Sequence, residues 1–314
     1  MTQPTPYAAA GGLVRVYPAD AASARPGPGL VWAHGGGFVA GDLDMPEADW
    51  VARAFAGRGI PVVSVDYRLA VDDASRYPAA SDDVIAAWRW TLEHAEELGI
   101  DPEHLIVGGA SAGANLVTGA VLRLLASRGS RSDAEGDASR DPEPWAAGFE
   151  TPTASAPQPA RLPAGLFLAY PTLLAVQPAP DAALRAMLDA NPVADRFGPA
   201  VVRAMYENYL GGPVDGAPLP AVPGLATAAD LAGFPPVLMV NSEADELRVS
   251  GEVFAATLAA ASVPVEVVTE PGTEHGHLNR PDEPAASATI DRVVRWLDHL
   301  TTRTAVSTTE GTTS

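Results

Sequence analysis

Cysteine is absent from this chain of 314 residues. Its absence excludes disulfide bonds, thiolate nucleophiles and metal sites with cysteine ligands. The chain also lacks any apolar run that approaches the roughly 18 residues of a membrane-spanning helix. Its N-terminus, residues 1–10, has no basic segment followed by an apolar stretch, which is the pattern of a secretory signal. We therefore expect a cytoplasmic protein without a membrane partner.

Lysine is absent as well, so all 20 basic residues are arginine, against 39 acidic residues. The formal net charge of −19 repels nucleic acids and anionic membranes over long distances, and we expect neither as a partner. The same acidic surface should disfavour anionic substrates, an effect that weakens as salt is added.

Strand-like apolar runs alternate with helical patterns along most of the chain. The predicted strands are 13–17, 30–33, 60–65, 105–107, 164–170, 237–240 and 263–269. The predicted helices are 46–58, 81–98, 115–127, 200–210, 248–261 and 285–300. This alternation predicts a single α/β domain over 1–314, with a mostly parallel sheet and helices on both faces. A functional site should then lie at the carboxyl ends of the strands.

Three segments depart from this alternation. Residues 128–163 are dense in Ser, Asp, Glu and Pro, and we expect a disordered loop that lies opposite the site. Residues 301–314 form a polar tail that we also expect to be disordered. Residues 171–234 are helical and punctuated by proline, which is typical of an insertion.

The pentapeptide Gly-Ala-Ser-Ala-Gly at 109–113 lies where an apolar strand gives way to a helix. A G-x-S-x-G sequence at such a turn presents a serine hydroxyl at a helix N-terminus. The helix dipole and the free N–H of Ala112 favour negative charge on a carbonyl that Ser111 attacks. Ser111 is therefore a candidate nucleophile.

A second glycine-rich segment, His-Gly-Gly-Gly-Phe at 34–38, follows an earlier strand. Three consecutive glycines leave backbone N–H groups unshielded, so that two of them can point at one oxygen. By itself the segment is equally consistent with an ordinary flexible loop.

A nucleophilic serine needs a histidine base, and the histidine needs a carboxylate that fixes its tautomer. Of the six histidines, only His275 and His277 lie in a loop after a late strand. Glu243, Asp245 and Glu246 follow the preceding strand and are the candidate carboxylates. The resulting order of serine, acid and histidine is that of α/β-hydrolases.

Taken together, the motifs resemble the hormone-sensitive-lipase-like family of α/β-hydrolase carboxylesterases, in its bacterial esterase form. They are H-G-G-G-F at 34–38, D-Y-R-L-A at 66–70, Y-P-A-A at 77–80, the serine elbow at 109–113 and P-G-x-x-H-G at 271–276. Their occurrence in this order over about residues 30–300 is far more specific than any single motif.

The resemblance implies an α/β-hydrolase fold and assigns Ser111 as nucleophile, His275 as base and Asp245 as its carboxylate partner. It implies an oxyanion hole formed by the N–H groups of Gly36, Gly37 and Ala112. His34 would be structural and tether the glycine loop. No metal or organic cofactor is implied, the expected partner is a small-molecule ester, and a homodimer is left open.

The chain departs from the family pattern at several positions. Ala110 stands where the family usually has Asp or Thr, so we expect it to influence substrate range. His277 stands where Phe is frequent, and we expect it to make the pocket wall more polar or titratable. Only 33 residues precede His34, so we expect a cap reduced to the segment 171–234.

These features predict a serine carboxylester hydrolase that acts on short acyl chains, from acetyl to about hexanoyl, through an acyl-enzyme. An amidase or peptidase could use the same three residues. A non-catalytic ligand-binding protein could use the same fold.

Overall fold

The computed structural model describes the backbone of residues 4–19, 26–135 and 161–310, and the side chains of these ranges except 129–135 and 302–310. Within this part of the chain, eight strands form one sheet. They are β1 (Tyr7–Ala9), β2 (Val14–Tyr17), β3 (Gly27–Ala33), β4 (Val62–Val65), β5 (Ile100–Ala110), β6 (Leu166–Ala169), β7 (Val237–Ala244) and β8 (Val265–Glu274).

The strands lie in the order β1-β2-β4-β3-β5-β6-β7-β8. β2 runs antiparallel to both of its neighbours, and every pair from β4 to β8 is parallel. The prediction of a mostly parallel sheet is therefore confirmed. β1 was not predicted, because three residues are too few to show a strand pattern.

Helices cover both faces of the sheet, and two more helices lie in the segment 171–234. They are α1 (Pro46–Ala56), α2 (Ala79–Glu93), α3 (Ala112–Glu135), α4 (Ala182–Ala190), α5 (Pro199–Leu210), α6 (Arg248–Ala260) and α7 (Pro284–Glu310). Local sequence explains several ends. The side chain of Asp181 caps α4 by accepting the N–H of Leu184 at 2.8 Å. α5 begins with Pro199 and ends at Gly211 in the left-handed conformation.

The alternation of side chains along the strands builds two cores, one on each face. In β3, Val31 and Ala33 belong to the core that α2, α3 and α6 cover. Leu30 and Trp32, on the opposite face, belong to the core that α1 and α7 cover. Because the central strands are buried on both faces, they appear in the sequence as continuous apolar runs.

Two helices extend far beyond their expected C-terminal ends. α3 begins at Ala112 and continues to Glu135, so the expected loop is wrong for 128–135; residues 136–160 lie outside the described part of the chain. α7 continues to Glu310, so the expected disordered tail is wrong for 301–310, and 311–314 are not described. Both helices extend into polar sequence, where apolar periodicity gives no signal.

The segment 171–234 leaves the carboxyl end of β6 and returns to β7. It contains α4, α5 and two short 3₁₀ turns, Leu219–Ala221 and Pro223–Leu225. None of the helices described here combines the length and hydropathy needed to cross a membrane.

Candidate active site

Ser111 occupies the turn between β5 and α3. Its backbone has a φ of +51°, an unfavourable conformation for a residue with a side chain. A Cβ atom on Gly109 would lie 2.5 Å from the carbonyl carbon of Gly113. A Cβ atom on Gly113 would lie 2.1 Å from the carbonyl oxygen of Ala33. The two glycines therefore permit the tight turn that holds Ser111 at the end of the strand.

Ala110 immediately precedes the serine and is fully buried in the core beside α1 and α7. It does not line the cleft at Ser111. Any influence of Ala110 on substrate range would therefore act through the elbow rather than by contact, and it stays a prediction.

A continuous line of hydrogen bonds joins the serine, a histidine and an aspartate. The Nε2 atom of His275 lies 2.9 Å from Ser111 Oγ, and its Nδ1 atom lies 2.7 Å from Asp245 Oδ2. Asp245 is fully buried, and its Oδ1 accepts the N–H of Leu247 at 3.0 Å. Because a carboxylate only accepts, Nδ1 carries the proton and Nε2 can accept from the serine hydroxyl.

The competing carboxylates lie elsewhere. Glu243 accepts the backbone N–H of Gly272 at 2.8 Å. Glu246 lies beside Asp195, and burial followed by the charge of Asp195 raises the pKa of Glu246. Of the three candidate carboxylates, the structure thus brings Asp245 to His275.

His277 is fully buried behind the cleft, with Nδ1 at 3.0 Å from Ser242 Oγ and Nε2 at 2.9 Å from Thr289 Oγ1. Burial, with smaller contributions from Arg280 and His275, lowers the pKa of His277 to about 3. The expectation of a more polar or titratable pocket wall is therefore wrong, because the side chain points into the protein and stays neutral.

The glycine loop presents free backbone donors next to the serine. A Cβ atom on Gly36 would lie 1.8 Å from the carbonyl oxygen of Ala40, and the φ of Gly36 is +125°, so only glycine fits. Gly36, Gly37 and Ser111 line one cleft. Within the part of the chain that the structure describes, the backbone N–H groups of Gly36, Gly37 and Ala112 donate no hydrogen bond.

Aromatic contacts hold this loop at both ends. The ring of His34, fully buried, is stacked on Tyr67 with centroids 4.4 Å apart. Phe38 is stacked on Tyr209 of α5 with centroids 4.0 Å apart. His34 thus fits the tethering role that the resemblance implies, and α5 supports the loop from the other side.

Sequence reasoning missed Glu47, which is buried behind the glycine loop. Its Oε1 accepts the backbone N–H of Gly35 at 2.5 Å. Its Oε2 accepts the hydroxyl of Tyr170 at 2.5 Å and the side-chain amide of Asn279 at 3.0 Å. The ring of Tyr170 packs edge-on against His275, with centroids 5.0 Å apart. Glu47 therefore connects the glycine loop to the wall behind the histidine.

A signal for Glu47 was present in the sequence. Glu47, Val51 and Phe55 are spaced by four residues and share one face of α1, and all three are buried. A carboxylate on the apolar face of a helix needs buried hydrogen-bond partners, which makes it a candidate for a structural role at a site.

The cleft at Ser111 has a volume of about 480 Å³. Its apolar walls are formed by Met45, Phe197 and Met205. Arg196 and Arg280 are its cationic lining residues. The described residues include no group of three or more His, Asp or Glu side chains that could hold a metal ion.

Known proteins with similar sequences and folds identify the family of the chain. A family model for the alpha/beta hydrolase fold matches residues 30–279, and the chain belongs to this family. The carboxylesterase NlhH of Mycobacterium tuberculosis is 38% identical over 257 residues, which cover 80% of this chain and 67% of that enzyme. An ethyl acetate hydrolase of Pseudomonas putida is 31% identical over 271 residues, covering 83% of this chain and 70% of that enzyme.

The structure of EstE1, a thermostable carboxylesterase from a metagenomic library, superposes with a TM-score of 0.68 at 27% identity. The match covers 96% of this chain and 91% of EstE1. The α/β-hydrolase fold and the resemblance to hormone-sensitive-lipase-like carboxylesterases are thus confirmed.

Proposed function

We propose that the protein is a serine carboxylester hydrolase that acts on short-chain acyl esters. The observation that carries this proposal is the hydrogen-bonded line from Asp245 through His275 to Ser111, which ends in a cleft beside free backbone N–H groups. The relatives named as a carboxylesterase and an ethyl acetate hydrolase support the same reaction class.

In the proposed reaction, Ser111 Oγ attacks the ester carbonyl while Nε2 of His275 takes its proton. The tetrahedral oxyanion accepts hydrogen bonds from the N–H groups of Gly36, Gly37 and Ala112. The protonated histidine then gives its proton to the departing alcohol, which leaves an acyl group on Ser111. Water, activated by the same histidine, releases the acid and restores the serine.

Asp245 supports both proton transfers without leaving its place. Its bond to Nδ1 holds the tautomer in which Nε2 can accept the serine proton. It also stabilises the imidazolium that forms in each half-reaction, in a fully buried position where charge interactions are strong.

The preference for short acyl groups rests on the walls of the cleft. Phe197 and Met205 come from the segment 171–234, which we interpret as the reduced cap, and Met45, at the start of α1, also lines the cleft. A cleft of about 480 Å³ must hold both the acyl and the alcohol part of the ester. The partner in this proposal is a small-molecule ester and the location is cytoplasmic, while a homodimer stays open.

Replacement of the serine tests the proposal. The Ser111→Ala variant should lose turnover of p-nitrophenyl acetate, whereas Ser287→Ala, at an exposed position of α7, should keep the wild-type rate. Retained turnover in the Ser111→Ala variant would refute the assignment. Parallel rates on matched anilides separate an esterase from an amidase, because the amine leaving group requires stronger protonation.

A further inference from the structure

The side chain of Arg196 lies beside the histidine at the cleft. Its Nη2 donates to the carbonyl oxygen of His275 at 3.2 Å. Its guanidinium lies 5.5 Å from the ring centroid of Phe197. The rings of Phe197 and His275 are packed in a T-shaped arrangement with centroids 4.5 Å apart. A planar cation is thus held over an aromatic wall of the cleft, next to the reacting groups.

The charge of Arg196 is not compensated by the protein around it. No carboxylate of the described residues lies within ion-pair distance of Arg196, whereas Arg280, the other arginine of the cleft, pairs with Glu283 at 3.0 Å and with Glu274 at 3.8 Å. Glu47 also lines the cleft, but its two oxygens already accept three hydrogen bonds. One guanidinium therefore faces the cleft without an anionic partner.

We propose that Arg196 forms an anion subsite, and that the preferred substrates are esters with a carboxylate on the acyl or the alcohol part. This inference rests on the proposed esterase function. A guanidinium has five N–H donors, and the His275 carbonyl uses one of them. The remaining donors suit the two oxygens of a carboxylate.

The negative surface of the protein does not contradict this subsite. At about 0.1 M salt the Debye length is about 10 Å, so the distributed surface charge acts weakly on a substrate already in the cleft. A carboxylate in direct contact with Arg196 is screened much less. The expected repulsion therefore acts on anionic substrates as they approach the protein. Once such a substrate is in the cleft, contact with Arg196 favours its binding.

A purely structural role for Arg196 is the alternative, because its hydrogen bond also positions His275. Arg196→Gln removes the charge but keeps a polar side chain with N–H donors. Anionic and neutral esters separate the two roles, because loss of the bond to His275 affects both alike whereas loss of the charge affects only the anionic ester. Arg203→Gln is the matched control. Arg203 lies on α5, pairs with Glu207 at 3.4 Å and does not line the cleft, so this variant makes the same change in net charge.

The experiment compares kcat/KM for two matched pairs of esters at about 0.1 M salt. Sodium 4-acetoxybenzoate against 4-acetoxybenzamide places the charge on the alcohol part. Monoethyl adipate against ethyl hexanoate places it on the acyl part. In at least one pair, the ratio of anionic to neutral kcat/KM should fall about fivefold in Arg196→Gln, a size typical of a partly exposed ion pair. It should not change in Arg203→Gln, and Arg196→Lys should recover part of it.

Other results would contradict the proposal. An unchanged ratio in both pairs, or an equal fall in Arg203→Gln, overturns the subsite. An equal loss of kcat/KM on the anionic and the neutral ester of a pair assigns Arg196 a positioning role only. This result also overturns the subsite. If the wild-type protein cleaves none of the four esters, the proposed function itself fails, and the inference fails with it.

Discussion

Glu47 Oε1 accepts the backbone N–H of Gly35 at 2.5 Å, and this bond fixes the start of the glycine loop. The other oxygen of Glu47 accepts the hydroxyl of Tyr170 at 2.5 Å. Because Tyr170 packs against His275, one buried carboxyl group connects the glycine loop and the histidine. Its replacement should disturb catalysis through the positions of the glycine loop and His275, because both of its oxygens already accept hydrogen bonds from the protein.

The first prediction is that Glu47→Gln lowers kcat about tenfold with a smaller change in KM. All three partners of Glu47 donate, so the amide nitrogen of glutamine must face a donor, and one buried N–H or O–H loses its acceptor. Steady-state kinetics with p-nitrophenyl butyrate measures the effect. Glu47→Asp, which keeps both acceptors on a shorter side chain, should recover part of kcat. An unchanged kcat in Glu47→Gln would remove the positioning role.

The second prediction concerns Gly36. Gly36→Ala introduces a Cβ atom that would lie 1.8 Å from the carbonyl oxygen of Ala40, so the loop must move. Loss of one oxyanion donor costs roughly 10²–10³ in kcat, and we expect a loss in this range without global unfolding. Kinetics and circular dichroism measure the two effects.

Gly198→Ala is the control for this change, since a Cβ atom there meets nothing within 4 Å. Near-wild-type activity in Gly36→Ala would contradict the placement of the oxyanion donors.

The third prediction is that the stability contributed by His277 depends on pH. The pKa of His277 is lowered to about 3 in the folded protein, while an imidazole in an unfolded chain titrates near 6.5. Below about pH 6.5 the unfolded state takes up a proton that the folded state does not, so stability is lost as the pH falls towards 3. The slope is about 1.4 kcal/mol per pH unit.

Urea unfolding of the wild-type protein and His277→Gln at pH 7.0, 6.0 and 5.0 tests this slope. The glutamine does not titrate, and the other groups cancel in the difference between the two proteins. The advantage of the wild-type protein should shrink as the pH is lowered. A difference that stays constant from pH 7 to 5 would show that His277 is not held neutral by the fold.

The fourth prediction concerns the contact between α3, the helix that follows Ser111, and α5. The hydroxyl of Tyr206 accepts from Asn115 Nδ2 at 2.8 Å and donates to the carbonyl oxygen of Thr172 at 3.0 Å. All three residues are buried. Tyr206→Phe leaves both partners unsatisfied, and the free energy of unfolding should fall by about 1–3 kcal/mol.

Urea titration measures this change. Tyr7→Phe, at a tyrosine that is 48% exposed, should change stability by less than about 0.5 kcal/mol. If both variants lost equal stability, the buried bridge would not be the cause.

Local motifs gave the parts of the site that depend on nearby sequence. The turn at Ser111, the free N–H groups at Gly36 and Gly37, and the order of acid and histidine are encoded within a few residues of each position. The structure brings Ser111, His275 and Asp245 within hydrogen-bond distance, as the motif order predicted. Their catalytic roles remain a prediction.

Tertiary contacts decided what the sequence could not show. Glu47 meets Tyr170 and Asn279 from distant parts of the chain. His277 follows the histidine of the site by only two residues, yet the left-handed conformation of Gly276 between them accompanies a change of direction, and His277 points into the core. Whether Arg196 has an anionic partner depends on which carboxylates the fold brings close to it. No local sequence pattern shows this.

The central claim is that Ser111 is the nucleophile of an esterase. Reaction with diethyl p-nitrophenyl phosphate followed by peptide mass spectrometry tests it most directly, because a phosphorylated serine mimics the acyl-enzyme. We predict one adduct per chain, on the peptide that contains Ser111, with loss of p-nitrophenyl butyrate hydrolysis in proportion to labelling. An adduct on another residue, or full activity in labelled protein, would contradict the claim.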